Sequence, residues 1–148
     1  MNNLLIITST VALLITITVS AADRNEKTVF VTSATFDSNL GGLTGADAKC
    51  QAEADGPTSI VPSGTYLAWL SDGTNSPNTR FTKSSHPYVL PNGKKIAEGY
   101  TDLTDGSLLI PISLGPDGKP VGYQPFWTGT NPDGTTVGFD AYNGTCGG

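Results

Sequence analysis

The chain has 148 residues, of which 18 are glycine and 10 are proline, and its 13 acidic and 8 basic side chains give a net charge of −5. This length predicts a single domain, and frequent glycine and proline predict short strands joined by long turns. The acidic balance argues against a nucleic-acid or heparin partner, because such partners require a basic surface.

The N-terminal segment has the pattern of an export signal. Residues 4–19 carry no charge, and the small residues Val19 and Ala21 precede Ala22 at the positions that a signal peptidase requires. We therefore expect a signal peptide over residues 1–22 and a secreted domain over residues 23–148, without a further membrane span. An uncleaved anchor is the alternative, but the segment approaches the required length of about 20 apolar residues only if its Ser and Thr are counted. No cysteine lies near the cleavage site, so we expect no lipid anchor.

The first half of the secreted part predicts one strand and one helix. Residues 28–33 alternate β-branched and aromatic side chains, as strands do. Thr44 opens a predicted helix to Ala54, with Thr44 and Asp47 in a capping box and Gly56-Pro57 as its end. Small side chains at helical spacing predict close packing against a sheet; they are Ala46, Cys50 and Ala54.

The second half predicts strands and turns, which makes the domain α+β. Strands are predicted at residues 64–71, 88–90, 108–112 and 126–130. Turns are predicted at residues 91–93, 115–118 and 131–134, and the Asn-Gly pair in the first of them is a hairpin signal.

Three blocks of sequence resemble the endostatin-like branch of the C-type-lectin-like fold. They are LGGLTGADAKCQ at residues 40–51, GTYLAWLS at residues 64–71 and FWTGTNPDG at residues 126–134. The resemblance is closest to a bacterial family of uncharacterised secreted domains that includes spirochaete endostatin-like surface proteins. It implies one main helix and short twisted antiparallel strands with long loops, with Gly45 letting the helix approach the sheet and with Trp69 and Trp127 as core anchors.

The resemblance also implies two disulfide bridges. Cys50 matches the helix cysteine that pairs with the last strand, and Cys146 matches the first cysteine of a late-loop bridge. Both implied partners would lie beyond Gly148, so we expect a C-terminally truncated domain whose residues 28–33 form an exposed strand edge. The alternative is a direct Cys50–Cys146 bond in an oxidising compartment.

Candidate binding residues cluster near the third block. Asn131 and Asp133 flank a proline, as in calcium-dependent sugar-binding relatives, but the partner Trp-Asn-Asp segment is absent and x-Pro-Asp-Gly is an ordinary turn. Trp127 completes this candidate binding set. Asn143 begins a glycosylation sequon that matters only if the host is eukaryotic.

No reactive constellation stands out in the sequence. His86 is the sole histidine, and no nucleophile-elbow motif accompanies it, so we expect it on a surface loop. Two cysteines and one histidine are too few for a zinc site. The predicted function is a secreted, non-catalytic binding or adhesion domain that recognises matrix or host proteins through loops at residues 72–134. A calcium-dependent lectin is the alternative, followed by a secreted hydrolase.

Overall fold

The computed structural model describes residues 25–122 and 128–138, and this part of the chain forms an α+β domain. The elements in chain order are β1 (Lys27–Thr28), α1 (Gly42–Ala54), α2 (Pro77–Arg80), β2 (Tyr88–Val89), β3 (Lys95–Ala97) and α3 (Tyr100–Leu103). The predicted α+β class is confirmed. The predicted signal peptide lies outside the described residues, and no helix within them is long and apolar enough to cross a membrane.

The three strands form one sheet in the order β1-β2-β3. β1 pairs with β2 in parallel, with Lys27 opposite Tyr88. β2 and β3 form an antiparallel hairpin, confirming the turn predicted at residues 91–93. Gly93 closes that turn with φ +80°, a left-handed conformation that favours glycine. The two predicted turns at residues 115–118 and 131–134 are also present and close short bridges, Leu114 to Pro120 and Thr130 to Thr136.

The core lies between this sheet and α3. Its buried residues are Tyr88, Leu90, Ile96, Ala97, Tyr100 and Leu114. Trp69 packs against this cluster, as the prediction of a core anchor requires, and its ring meets Phe81 edge-on at 5.7 Å between centroids. Trp127 lies outside the described residues.

Helix α1 begins two residues earlier than predicted. Gly41 precedes its first residue with φ +77°, and no side chain caps the helix, so the Thr44/Asp47 capping box is wrong. Asp47 lies beyond the first turn and bonds elsewhere. The small-residue stripe is inward-facing as predicted, since Ala46 and Ala54 are buried and Cys50 is half-buried, but among the described elements α1 does not pack closely against the sheet.

Two predicted strands do not form. Residues 64–71 are extended but belong to no sheet, and in residues 108–112 only Leu109 donates a backbone bond to a strand, at 3.0 Å to the Ile96 carbonyl. The strand predicted at residues 28–33 is shorter as well, because only Lys27–Thr28 is paired as a strand. The short helices α2 and α3 were not predicted. α2 starts at a proline, and its N-terminus is capped by the Thr79 hydroxyl, which accepts a hydrogen bond from the Ser76 N–H at 3.0 Å.

Tyr100 provides a test of the core packing. Only 6% of Tyr100 is exposed, and its hydroxyl has no hydrogen-bond partner in the described part of the chain; burial raises the pKa of this phenol. Because an unpaired buried hydroxyl costs free energy, we expect Tyr100→Phe to raise the free energy of unfolding by about 1 kcal/mol. Tyr66→Phe is the matched control, and it should lower stability by about 1 kcal/mol because the Tyr66 hydroxyl donates to the Pro62 carbonyl at 2.7 Å. Urea unfolding measures both; a loss of stability in Tyr100→Phe would show that its hydroxyl is paired.

Candidate functional site

A cavity of about 920 Å³ opens beside β1 and is the candidate site; we call it the β1 groove. Residues 26–30, residues 62–67 with Ile60, and residues 106–108 form parts of its wall. The Phe30 ring of the first part contacts the Tyr66 ring of the second, with 5.4 Å between centroids. Cys50 of α1, Trp69 and Tyr88 also line it. Its lining is mostly carbon, which suits a ligand with apolar side chains.

The extended chain at residues 27–31, which includes β1, has one edge whose backbone N–H groups are unbonded within the described part of the structure. The N–H groups of Lys27, Val29 and Val31 donate to the carbonyls of Pro87, Val89 and Leu114 at 2.9, 2.8 and 2.9 Å. Because backbone groups alternate in direction along a strand, those of Thr28 and Phe30 point the opposite way. Among the described residues, none bonds to the backbone N–H groups of Thr28 or Phe30.

Exposed apolar side chains concentrate at the same place. The large exposed hydrophobic residues of the described chain are Phe36, Ile60, Leu67, Leu108 and Leu109. Three of them, Ile60, Leu67 and Leu108, line the β1 groove. Exposed apolar side chains grouped around one cavity are a common feature of protein-binding sites.

Residues 64–68, of which residues 64–67 line the groove, are held by side chains of α1. The Asp47 carboxylate accepts the Ala68 N–H at 2.8 Å, and the Gln51 side chain accepts the Tyr66 N–H at 2.9 Å and donates to the Gly64 carbonyl at 3.1 Å. Asp47 and Gln51 are four residues apart and therefore lie on one face of the helix. These side chains take the hydrogen bonds that a neighbouring strand would have made, which explains why the predicted strand joins no sheet.

Asp47 also binds Arg80 of α2, and this ion pair joins three segments that are distant in sequence. The Arg80 guanidinium contacts the second Asp47 oxygen, and their side chains are 16% and 21% exposed, respectively. The sequence indicated Asp47 as a capping residue and gave no sign of Arg80. The spacing of Asp47 and Gln51 on α1 is the signal that could have shown which face of the helix holds residues 64–68.

Cys50 lies in the groove with a thiol that is not activated. Burial raises its pKa, and the nearby carboxylates of Asp47 and Glu53 raise it further. The thiol is therefore protonated at neutral pH and a poor nucleophile. Cys50 forms no disulfide within the described residues, and Cys146 lies outside them, so the predicted pairings stay open.

The predicted calcium residues are engaged in their own turn. Asp133 accepts the Thr135 N–H at 2.9 Å and the Thr135 hydroxyl at 2.6 Å, and these bonds lower its carboxyl pKa. Asn131 donates to the Thr135 hydroxyl and to the Thr136 carbonyl, at 3.1 and 3.2 Å. These contacts are those of a self-stabilised loop. Within residues 25–122 and 128–138, no three His, Cys, Asp or Glu side chains are grouped as metal ligands would be.

Two further predicted residues have different outcomes. His86 is exposed on the loop before β2, as predicted, and its backbone N–H donates to the Ser84 hydroxyl at 3.0 Å. Asn143 lies outside the described residues.

Comparison with known proteins yields no match: no family model, no curated protein and no solved structure is similar to this chain. The endostatin-like resemblance of residues 40–51, 64–71 and 126–134 therefore stays a prediction.

Proposed function

We propose that this chain is an exported, non-catalytic binding or adhesion domain that recognises another extracellular protein in the β1 groove. The observation that carries the proposal is the position of Ile60, Leu67 and Leu108, three exposed apolar side chains around one cavity. Exposed apolar side chains of this kind mark interaction sites, because a partner that covers them removes their surface from water.

The sequence supports the same class of protein. The leader at residues 1–22 favours export, and the three sequence blocks favour an endostatin-like, C-type-lectin-like fold, with which the α+β architecture is compatible. The net charge of −5 favours a neutral or basic partner over an anionic polysaccharide. The turn contacts of Asp133 and Asn131 favour a protein ligand over a calcium-bridged sugar.

Two adjacent leucines give a matched test of the groove. Leu108 is 39% exposed and lines the groove, whereas Leu109 is 60% exposed and does not. We expect Leu108→Ser to weaken binding roughly tenfold or more, since a buried leucine contributes about 1.5–3 kcal/mol and each 1.4 kcal/mol is tenfold in affinity. Leu109→Ser should leave affinity unchanged.

The measurement is a surface-binding screen of the purified domain against extracellular-matrix proteins, host serum proteins and glycans. The wild-type chain should bind at least one protein, with the leucine pair behaving as stated. Silence across the panel from a folded sample, or equal losses in both variants, would contradict the proposal.

A further inference from the structure

We propose that the β1 groove takes an extended segment of another polypeptide as an additional β-strand along the edge of residues 27–31 that has no partner among the described residues. This inference rests on the proposed function, because it states how a protein partner would fill the same groove. The partner segment is neutral or basic and carries apolar side chains at alternate positions.

The backbone of the groove wall specifies a peptide ligand. Lys27, Val29 and Val31 use their N–H groups on one side of the extended chain, and those of Thr28 and Phe30, two residues that line the groove, have no partner among the described residues. A row of N–H and C=O groups spaced along an extended chain is matched by another extended chain, as in other cases of strand addition. Neither a sugar nor a lipid offers donors and acceptors at this repeat.

The size of the groove fits a short segment. Residues 26–30 line it, and at about 3.3 Å per residue they extend over roughly 17 Å. A partner of about five residues would cover this length. The apolar lining residues Ile60 and Leu67 would favour apolar side chains in an added strand, whose side chains alternate between its two faces.

The charge of the chain further limits which partner segments can bind. The chain carries −5 overall, whereas Glu26 and Lys27 offset each other at the edge itself, so the overall charge acts on the approach of a partner. A segment rich in acidic residues would be repelled during approach, whereas a neutral or basic one would not.

Selection of peptides tests the mode of binding directly. The probe is a display library of random twelve-residue peptides, selected on the immobilised full chain. We expect enrichment of neutral or basic sequences with alternating apolar residues. The selected peptides should bind the Thr28→Pro variant at least tenfold more weakly than the Thr28→Ala variant. Proline is tolerated on an edge strand but lacks the N–H that would bond to the added strand. Both variants keep the N–H groups of Lys27 and Val29, which bind the other side.

A chemical change in the peptide serves the same purpose if Thr28→Pro fails to fold. Methylating alternate backbone nitrogens of a selected peptide should abolish binding for one set of positions and spare the other, since only one set faces β1. The absence of enriched peptides, or equal binding by both Thr28 variants and by all methylated peptides, would overturn strand addition. The comparison of Leu108→Ser with Leu109→Ser would still test the proposed function independently of strand addition.

The chain's own C-terminal residues are the competing occupant. Peptide mapping of the secreted chain under non-reducing conditions shows whether Cys50, which lines the groove, is bonded to Cys146. We expect Cys50 to be found as a free thiol, and we expect its alkylation to be slower when a selected peptide is bound. A Cys50–Cys146 disulfide would place the chain's own terminus at the groove and overturn a partner segment as its occupant.

Discussion

Replacing Gly45 with alanine is expected to lower the free energy of unfolding by about 3 kcal/mol. A Cβ at this position would overlap the carbonyl oxygen of Leu40 and would lie 2.9 Å from the carbonyl carbon. Both atoms belong to the backbone, so the first turn of α1 or the segment before it has to move. Gly45 was predicted to let the helix approach the sheet, but the close neighbour is the chain that leads into the helix.

Gly64→Ala is the matched control for this change. No atom lies within 4 Å of a Cβ built at Gly64, and its backbone is not in the left-handed region. Alanine there should be neutral or stabilise by up to about 1 kcal/mol through the unfolded chain. Urea unfolding followed by tryptophan fluorescence compares the two. A Gly45→Ala variant as stable as Gly64→Ala would show that the contact with Leu40 is not formed.

Replacing Asp47 with alanine is the second large change, and we expect it to lower the free energy of unfolding by about 3 kcal/mol. The variant would leave the mostly buried Arg80 guanidinium without its carboxylate and the Ala68 N–H without its acceptor. Removing one partner of a buried ion pair is costly because the other charge stays desolvated. The groove-lining residues 64–67 would loosen as a result, so the affinity for a selected peptide should fall together with the stability.

A double-mutant cycle separates the ion pair from the backbone bond. Arg80→Met should cost less in the Asp47→Ala background than in the wild type, because the lone charge is then removed. Glu98→Ala is the control at an exposed ion pair with Lys95, where both side chains are more than 40% exposed, and it should cost under about 1 kcal/mol. If Asp47→Ala costs no more than Glu98→Ala, α1 does not hold the groove wall.

Local sequence signals predicted the features that depend on local contacts. The turn at Gly93, the hairpin that it closes and the small stripe of α1 all follow from residues within a few positions of one another. The extended segment at residues 64–71 was predicted as a strand for the same reason, because alternation indicates an extended backbone. Alternation does not say which groups take the hydrogen bonds, and here the acceptors are Asp47 and Gln51 on α1.

The candidate site depends on distant contacts, and the sequence predicted little of it. Arg80 reaches Asp47 across 33 residues, and no periodic pattern marks such a pair. An exposed edge was expected at residues 28–33 from the resemblance alone, and the groove beside it gathers residues from across the chain, from Glu26 to Pro132. The loops at residues 72–134 were expected to bind, yet Ile60 and Leu67 lie before them.

Hydrogen exchange of four backbone amides tests strand addition in the β1 groove most directly. On addition of a selected peptide, exchange at Thr28 and Phe30 should slow at least tenfold, because their N–H groups would gain acceptors. Exchange at Lys27 and Val29, which already donate to Pro87 and Val89, should change far less. Unchanged exchange at Thr28 and Phe30 in a sample saturated with bound peptide would contradict strand addition.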